Sequence, residues 1–60
     1  YNNMIDKIDT AIEYYTFKSK EILDLVNSNK NLSVEKIIEY GGELSVLENK
    51  ITALEVAKEN

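Results

Sequence analysis

The residues with the clearest chemical potential are acidic. Glu35, Glu39 and Glu43 recur at i, i+4 spacing, which puts their carboxylates on one side of a helix. Glu39 with Glu43 has the spacing of half a carboxylate metal site in a helical bundle. Such sites are completed by a Glu-x-x-His ligand set, and the chain has no His. It also has no Cys, so thiolate ligands, disulfides and Cys nucleophiles are excluded. Ser and Thr are present, but no imidazole can activate them. The only glycines, Gly41–Gly42, sit inside an amphipathic run and do not form a phosphate-cradling loop. The chain therefore offers no catalytic residues, no metal ligands and no cofactor site, and it reads as a non-enzyme. The carboxylate row reads as a solvated face. Its functional alternative is electrostatic steering of a basic partner.

Charge narrows the partners further. Seven basic against eleven acidic residues give a net charge of −4. All seven cations are Lys, and they do not cluster. Phosphate backbones need a basic face, and bidentate base reading needs Arg, so nucleic acid is not the expected partner. No apolar run approaches the roughly 20 residues of a membrane span. Tyr1 stands where Met would open a native chain, which implies an N-terminus removed or cut back. Abundant Asn, Lys, Ile and Tyr fit AT-rich coding sequence from a bacterium or parasite. The absence of Cys fits the cytosol.

Two elements must carry whatever the chain does. Ile5, Ile8, Ile12, Tyr15, Ser19, Ile22 and Val26 alternate steps of three and four. That spacing predicts one amphipathic helix over about 3–26, with Ser19 the one polar member of its seam. Asn27–Asn31 is rich in residues that bond nearby backbone and end helices, which predicts a turn over 27–32. Ser33 then suits an N-cap, Leu32 and Ile37 a hydrophobic staple, and Glu35 the positive end of the helix dipole. Ile37, Tyr40, Leu44, Leu47, Ile51, Leu54 and Lys58 repeat the three-four rhythm, predicting a second helix over about 33–58. So short a connection favours antiparallel packing. The expected fold is all-α: one domain over 1–60, a coiled-coil-like antiparallel two-helix hairpin.

Gly41–Gly42 is the local conflict. Each Gly inside a helix costs about 1 kcal/mol relative to Ala. Three readings compete: a break that makes three helices, a kink, or a close backbone approach. The expectation is a continuous or mildly kinked helix.

Two helices cover only one stripe of each other. Tyr14, Phe17 and Leu25 on the first helix, and Ile38, Val46, Ala53 and Val56 on the second, fall outside the seams. Exposed apolar groups of that size mark a binding surface when they gather into a patch. The candidate partner-binding residues are Tyr14, Phe17, Leu25, Ile38, Val46 and Val56, with the two aromatics as anchors. The bland alternatives are scattered surface apolars and a homodimer seam in a four-helix bundle. A core this small rarely supplies more than roughly 3–5 kcal/mol, so a partner chain or self-association is the expected stabiliser.

The layout resembles the small YscE/EscE-type co-chaperones of bacterial type III secretion systems. These are acidic-leaning hairpins with a short polar turn between helices of about equal length. The stretch Glu43-Leu44-Ser45-Val46-Leu47-Glu48-Asn49-Lys50-Ile51-Thr52-Ala53-Leu54 is similar to that family's second-helix pattern, with Leu47, Glu48 and Ile51 carrying the likeness. Ser45 lies one position from a strict match, and Gly41–Gly42 departs from the pattern. The resemblance implies a bacterial cytoplasmic protein that pairs with a tetratricopeptide-repeat chaperone. Together they would hold a needle subunit unpolymerised. It further implies a hetero-oligomer rather than a homodimer, with Tyr14 and Phe17 toward the repeat chaperone. A rival likeness covers Leu32–Tyr40, which resembles a segment of the fourth Mediator subunit. The alternative function is accordingly a coiled-coil subunit or fragment of a larger assembly. A small regulator that folds on its target is a third, weakened by the lack of a basic DNA-binding segment.

Overall fold

A computed structural model describes residues 3–60 of the chain. They form two α-helices, α1 (Met4–Ser28) and α2 (Val34–Glu59), packed side by side as an antiparallel hairpin. The particle is a rod of 46 × 17 × 12 Å.

Both helices start on polar side chains that satisfy otherwise orphaned backbone donors. Asn3 Oδ1 accepts the Asp6 N–H at 2.9 Å, so Asn3 is the cap of α1 rather than its first helical residue. Ser33 Oγ accepts the Lys36 N–H at 3.2 Å, the N-cap expected from its position before the apolar run. Glu35 lies in the first turn of α2 and Lys58 in its last, each complementing the helix dipole.

The turn is displaced from its expected place. Helix α1 continues through Asn27 and Ser28, two residues past the predicted end. The Asn29 N–H closes the last turn on the Leu25 carbonyl at 3.2 Å, and Ser28 Oγ donates to the same oxygen at 3.4 Å. Asn29 then turns the chain, its Oδ1 accepting the Asn31 N–H at 3.0 Å. This is the Asx geometry that makes Asn a turn residue. The connection is Asn29–Ser33, and the polar signal in the sequence could not say which of several Asn residues would stop the helix.

Helix α2 runs unbroken through Gly41–Gly42, and neither glycine has a positive φ. A Cβ placed on either would meet nothing within 4 Å. The glycines are therefore not there to break the helix or to admit a close backbone within the hairpin.

The seam is the one the periodicity predicts, except at its margins. Ile8 is the one buried side chain among the described residues, at 7% exposure. Ile12, Tyr15, Ser19, Ile22 and Val26 from α1, and Tyr40, Leu44, Leu47, Ile51 and Leu54 from α2, are half-buried. Ile5 and Ile37 are more open, at 41% and 48%. Ser19 is accommodated because its hydroxyl donates to the Tyr15 carbonyl one turn back, at 2.9 Å. Two cross-helix contacts fix the register. Lys58 Nζ pairs with Asp9 Oδ1 at 2.7 Å, and Lys50 Nζ lies 5.1 Å from the centroid of the Tyr15 ring.

Candidate protein-binding groove

The two helices meet along one stripe, and their shoulders leave an open groove of about 820 Å³ on one face. Tyr14, Tyr15, Lys18, Glu21, Ile22 and Leu25 line it from α1. Gly42, Glu43, Val46, Leu47 and Lys50 line it from α2. The floor is the outer edge of the seam, Tyr15, Ile22 and Leu47, whose side chains are half-buried. The walls carry more exposed apolars, with Tyr14 at 56% and Val46 at 53%. A second depression of about 410 Å³ extends along α1 past Lys7, Thr10 and Ala11, and shares Tyr14 and Tyr15.

Tyr14 and Tyr15 pack edge to face, ring centroids 5.3 Å apart at 69°. That arrangement suits the aromatic quadrupole. Lys50 sits over Tyr15 from the other helix and shades one side of that ring with a cation. Tyr14 is thereby supported on one edge and open on the rest, the state expected of an aromatic that a partner can cover. The absence of a side chain at Gly42 keeps the α2 wall low at that point.

Of the six residues singled out from the sequence, the structure brings Tyr14, Leu25 and Val46 together in this groove. Phe17, Ile38 and Val56 are exposed but stand outside its lining. The sequence pattern did not single out Lys18, Glu21, Glu43 and Lys50 as groove residues, although all four line it. Their signal was present: each lies within four residues of an off-seam apolar group. It could be used only once the helices were set side by side.

The carboxylate row gathers no ligand set. Among the described residues no group of three His, Cys, Asp or Glu side chains could hold a metal ion. Glu39 is instead engaged by Lys36 at 3.3 Å, an exposed i, i+3 pair. The Lys36 ammonium also lies 5.9 Å from the Tyr40 ring centroid. Lys18 and Glu21 form a similar exposed pair at 3.5 Å on the groove rim. Pairs this exposed contribute little to stability, about 0–1 kcal/mol, and leave both groups available to a partner. Among the described residues no helix is long and apolar enough to cross a membrane.

No protein-family model matches the chain, and no curated protein or solved structure is significantly similar to it.

Proposed function

We propose that this chain is a non-enzymatic protein-binding module that lends its hairpin face to another protein chain. One observation carries the reading. A single side chain, Ile8, is buried among the described residues, and none is fully so, while large apolar groups including Tyr14, Leu25 and Val46 gather along an open groove. A fold with so little internal core and so much aligned apolar surface gains most of its burial from a partner. The residues on the groove suit a helical partner, because apolar positions spaced along two parallel walls match the i, i+3, i+4 face of an amphipathic helix.

The specific form of this function is a secretion co-chaperone of the bacterial cytoplasm, pairing with a tetratricopeptide-repeat chaperone that holds a needle subunit. The resemblance in Glu43–Leu54 and the two-helix layout support it. Repeat proteins stack helical pairs and present helix faces of the kind this groove would complement.

The test is co-expression with repeat-protein genes neighbouring its own, followed by native mass measurement. A complex of equal stoichiometry is expected. Changing Tyr14 and Phe17 together to Ser should weaken that complex at least tenfold while circular dichroism keeps its helical signal. Binding that ignores both substitutions, or helicity that collapses with binding, would falsify the assignment of these residues to a partner-facing surface.

A further inference from the structure

The groove has a symmetry of its own. Lys18 and Glu21 are three residues apart on α1, with their midpoint between Ser19 and Lys20. Tyr14 and Leu25, the exposed apolar groups of the same wall, share that midpoint. On α2, Glu43 and Lys50 are centred between Val46 and Leu47, beside the apolar Val46. The register set by Asp9–Lys58 and Tyr15–Lys50 puts the two midpoints at the same height along the rod, within about one residue, or about 1.5 Å of helix rise. The end of the groove away from the connection therefore carries two cations, Lys18 and Lys50. The end nearer the connection carries two anions, Glu21 and Glu43.

We propose that a second copy of this chain occupies the groove, related by a two-fold axis that lies between the two copies and runs across the groove, at right angles to both helices and at the height of these midpoints. The inference rests on reading the groove as a protein-binding face, and it names the occupant. Such an axis lays α1 antiparallel on α1 of the other copy, and α2 on α2. Lys18 then meets Glu21 of the second copy, Lys50 meets its Glu43, and Tyr14 covers its Leu25. By symmetry each contact occurs twice, as a self-complementary isologous interface requires. Val46 meets its own counterpart near the centre. The product is a four-helix bundle with the apolar walls inside and the charged pairs along its rim.

Surface area points the same way. The hairpin exposes 4890 Å², whereas size scaling gives about 4,000 Å² for a folded monomer of this mass. The excess of about 900 Å² is close to the roughly 800 Å² that each partner of a standard interface loses. A lone pair of helices is a rod, and stacking two rods restores an ordinary ratio of surface to mass. A repeat-protein partner would then compete with the second copy for the same face.

Sedimentation equilibrium of the full chain over a concentration series tests this. The expected mass is twice the 6.9 kDa of one chain. Converting Lys18 and Lys50 together to Glu sets like charges against each other at four contacts, and self-association should weaken roughly a hundredfold. The reciprocal chain, Glu21→Lys with Glu43→Lys, should also be monomeric alone, yet the two variants mixed should form a one-to-one dimer. Exchanging the charges within one chain, Lys18→Glu with Glu21→Lys and Lys50→Glu with Glu43→Lys, should restore self-association. The four sites are exposed and circular dichroism should stay helical throughout. Lys50→Glu also removes the Lys50–Tyr15 contact. Because the charge-exchanged chain lacks that contact too, its regained pairing separates the rim charges from any change in hairpin register. A wild-type monomer at every concentration, or variants that dimerise like wild type, would overturn the second copy as occupant. If that monomer still bound a repeat protein through Tyr14, only the self-pairing would fail. If binding ignored both Tyr14 and Val46, the groove reading would fail with it.

Discussion

The two ends of the hairpin are held in different ways. Away from the connection, Ile8 is buried, Lys58 clasps Asp9 at 2.7 Å, and Lys50 covers Tyr15. Toward the connection, Val34, Ile37 and Ile38 are exposed, and Gly41–Gly42 face open space. Near the turn, a five-residue link already keeps the helices close, and the entropy of bringing them together is small. The free ends have no such tether. Noncovalent contacts must hold them, and the tightest packing and the one interhelical ion pair among the described residues lie there.

Breaking the packed end should have the largest effect. Ile8→Ala removes the one buried side chain among the described residues and is expected to cost about 2–5 kcal/mol, comparable with the whole stability of so small a core. Ile37→Ala, the equivalent change at the connected end, should cost clearly less because that side chain is already 48% exposed. Urea titrations of the two variants give the comparison directly, and equal losses would mean the two ends are held alike.

A smaller gain is expected at the loose end. Gly41→Ala adds a methyl group where nothing lies within 4 Å, on a helix with no positive φ at that residue. It should stabilise the chain by about 0.5–1 kcal/mol through the backbone freedom it removes from the unfolded state. A drop in the thermal midpoint would mean that the α2 backbone at Gly41 needs a conformation Ala resists.

The smallest effect belongs to the clasp. The hydrogen bond to Asp9, and then its negative charge, raise the pKa of Lys58 above its ordinary value. A raised folded-state pKa contributes stability that is fully present below the unfolded value of about 10.4 and is lost as pH rises through the folded value. The thermal midpoint of wild type should therefore exceed that of Asp9→Asn slightly at neutral pH. The gap should close in alkaline solution once Lys58 is neutral. Because the pair is half exposed, added salt should narrow the gap as well.

The hairpin was legible in the residues because helix period, caps and turn chemistry are local. Steps of three and four from Ile8 to Val26 and from Tyr40 to Leu54 specify two facing stripes, and Ser33 specifies a start. The stop of α1 was less legible, since Asn27, Asn29 and Asn31 offer nearly the same chemistry and only Asn29 closes on Leu25. The Gly41–Gly42 conflict could not be resolved locally either. A propensity cost of this size is overridden by a helix that packs on both sides of it.

The amino-acid sequence by itself determined that there is no imidazole, thiol or guanidinium to work with, that the chain is helical, and which residues face inward. Only the tertiary structure decided which outward residues meet. Tyr14, Leu25 and Val46 share a groove while Phe17, Ile38 and Val56 stand outside its lining, and two lysines and two glutamates from different helices fall at opposite ends of it. The physical reason is that a helix fixes the angle of each side chain about its own axis, whereas the register between two helices is set by contacts far apart in the chain. In this hairpin those are Asp9 with Lys58 and Tyr15 with Lys50.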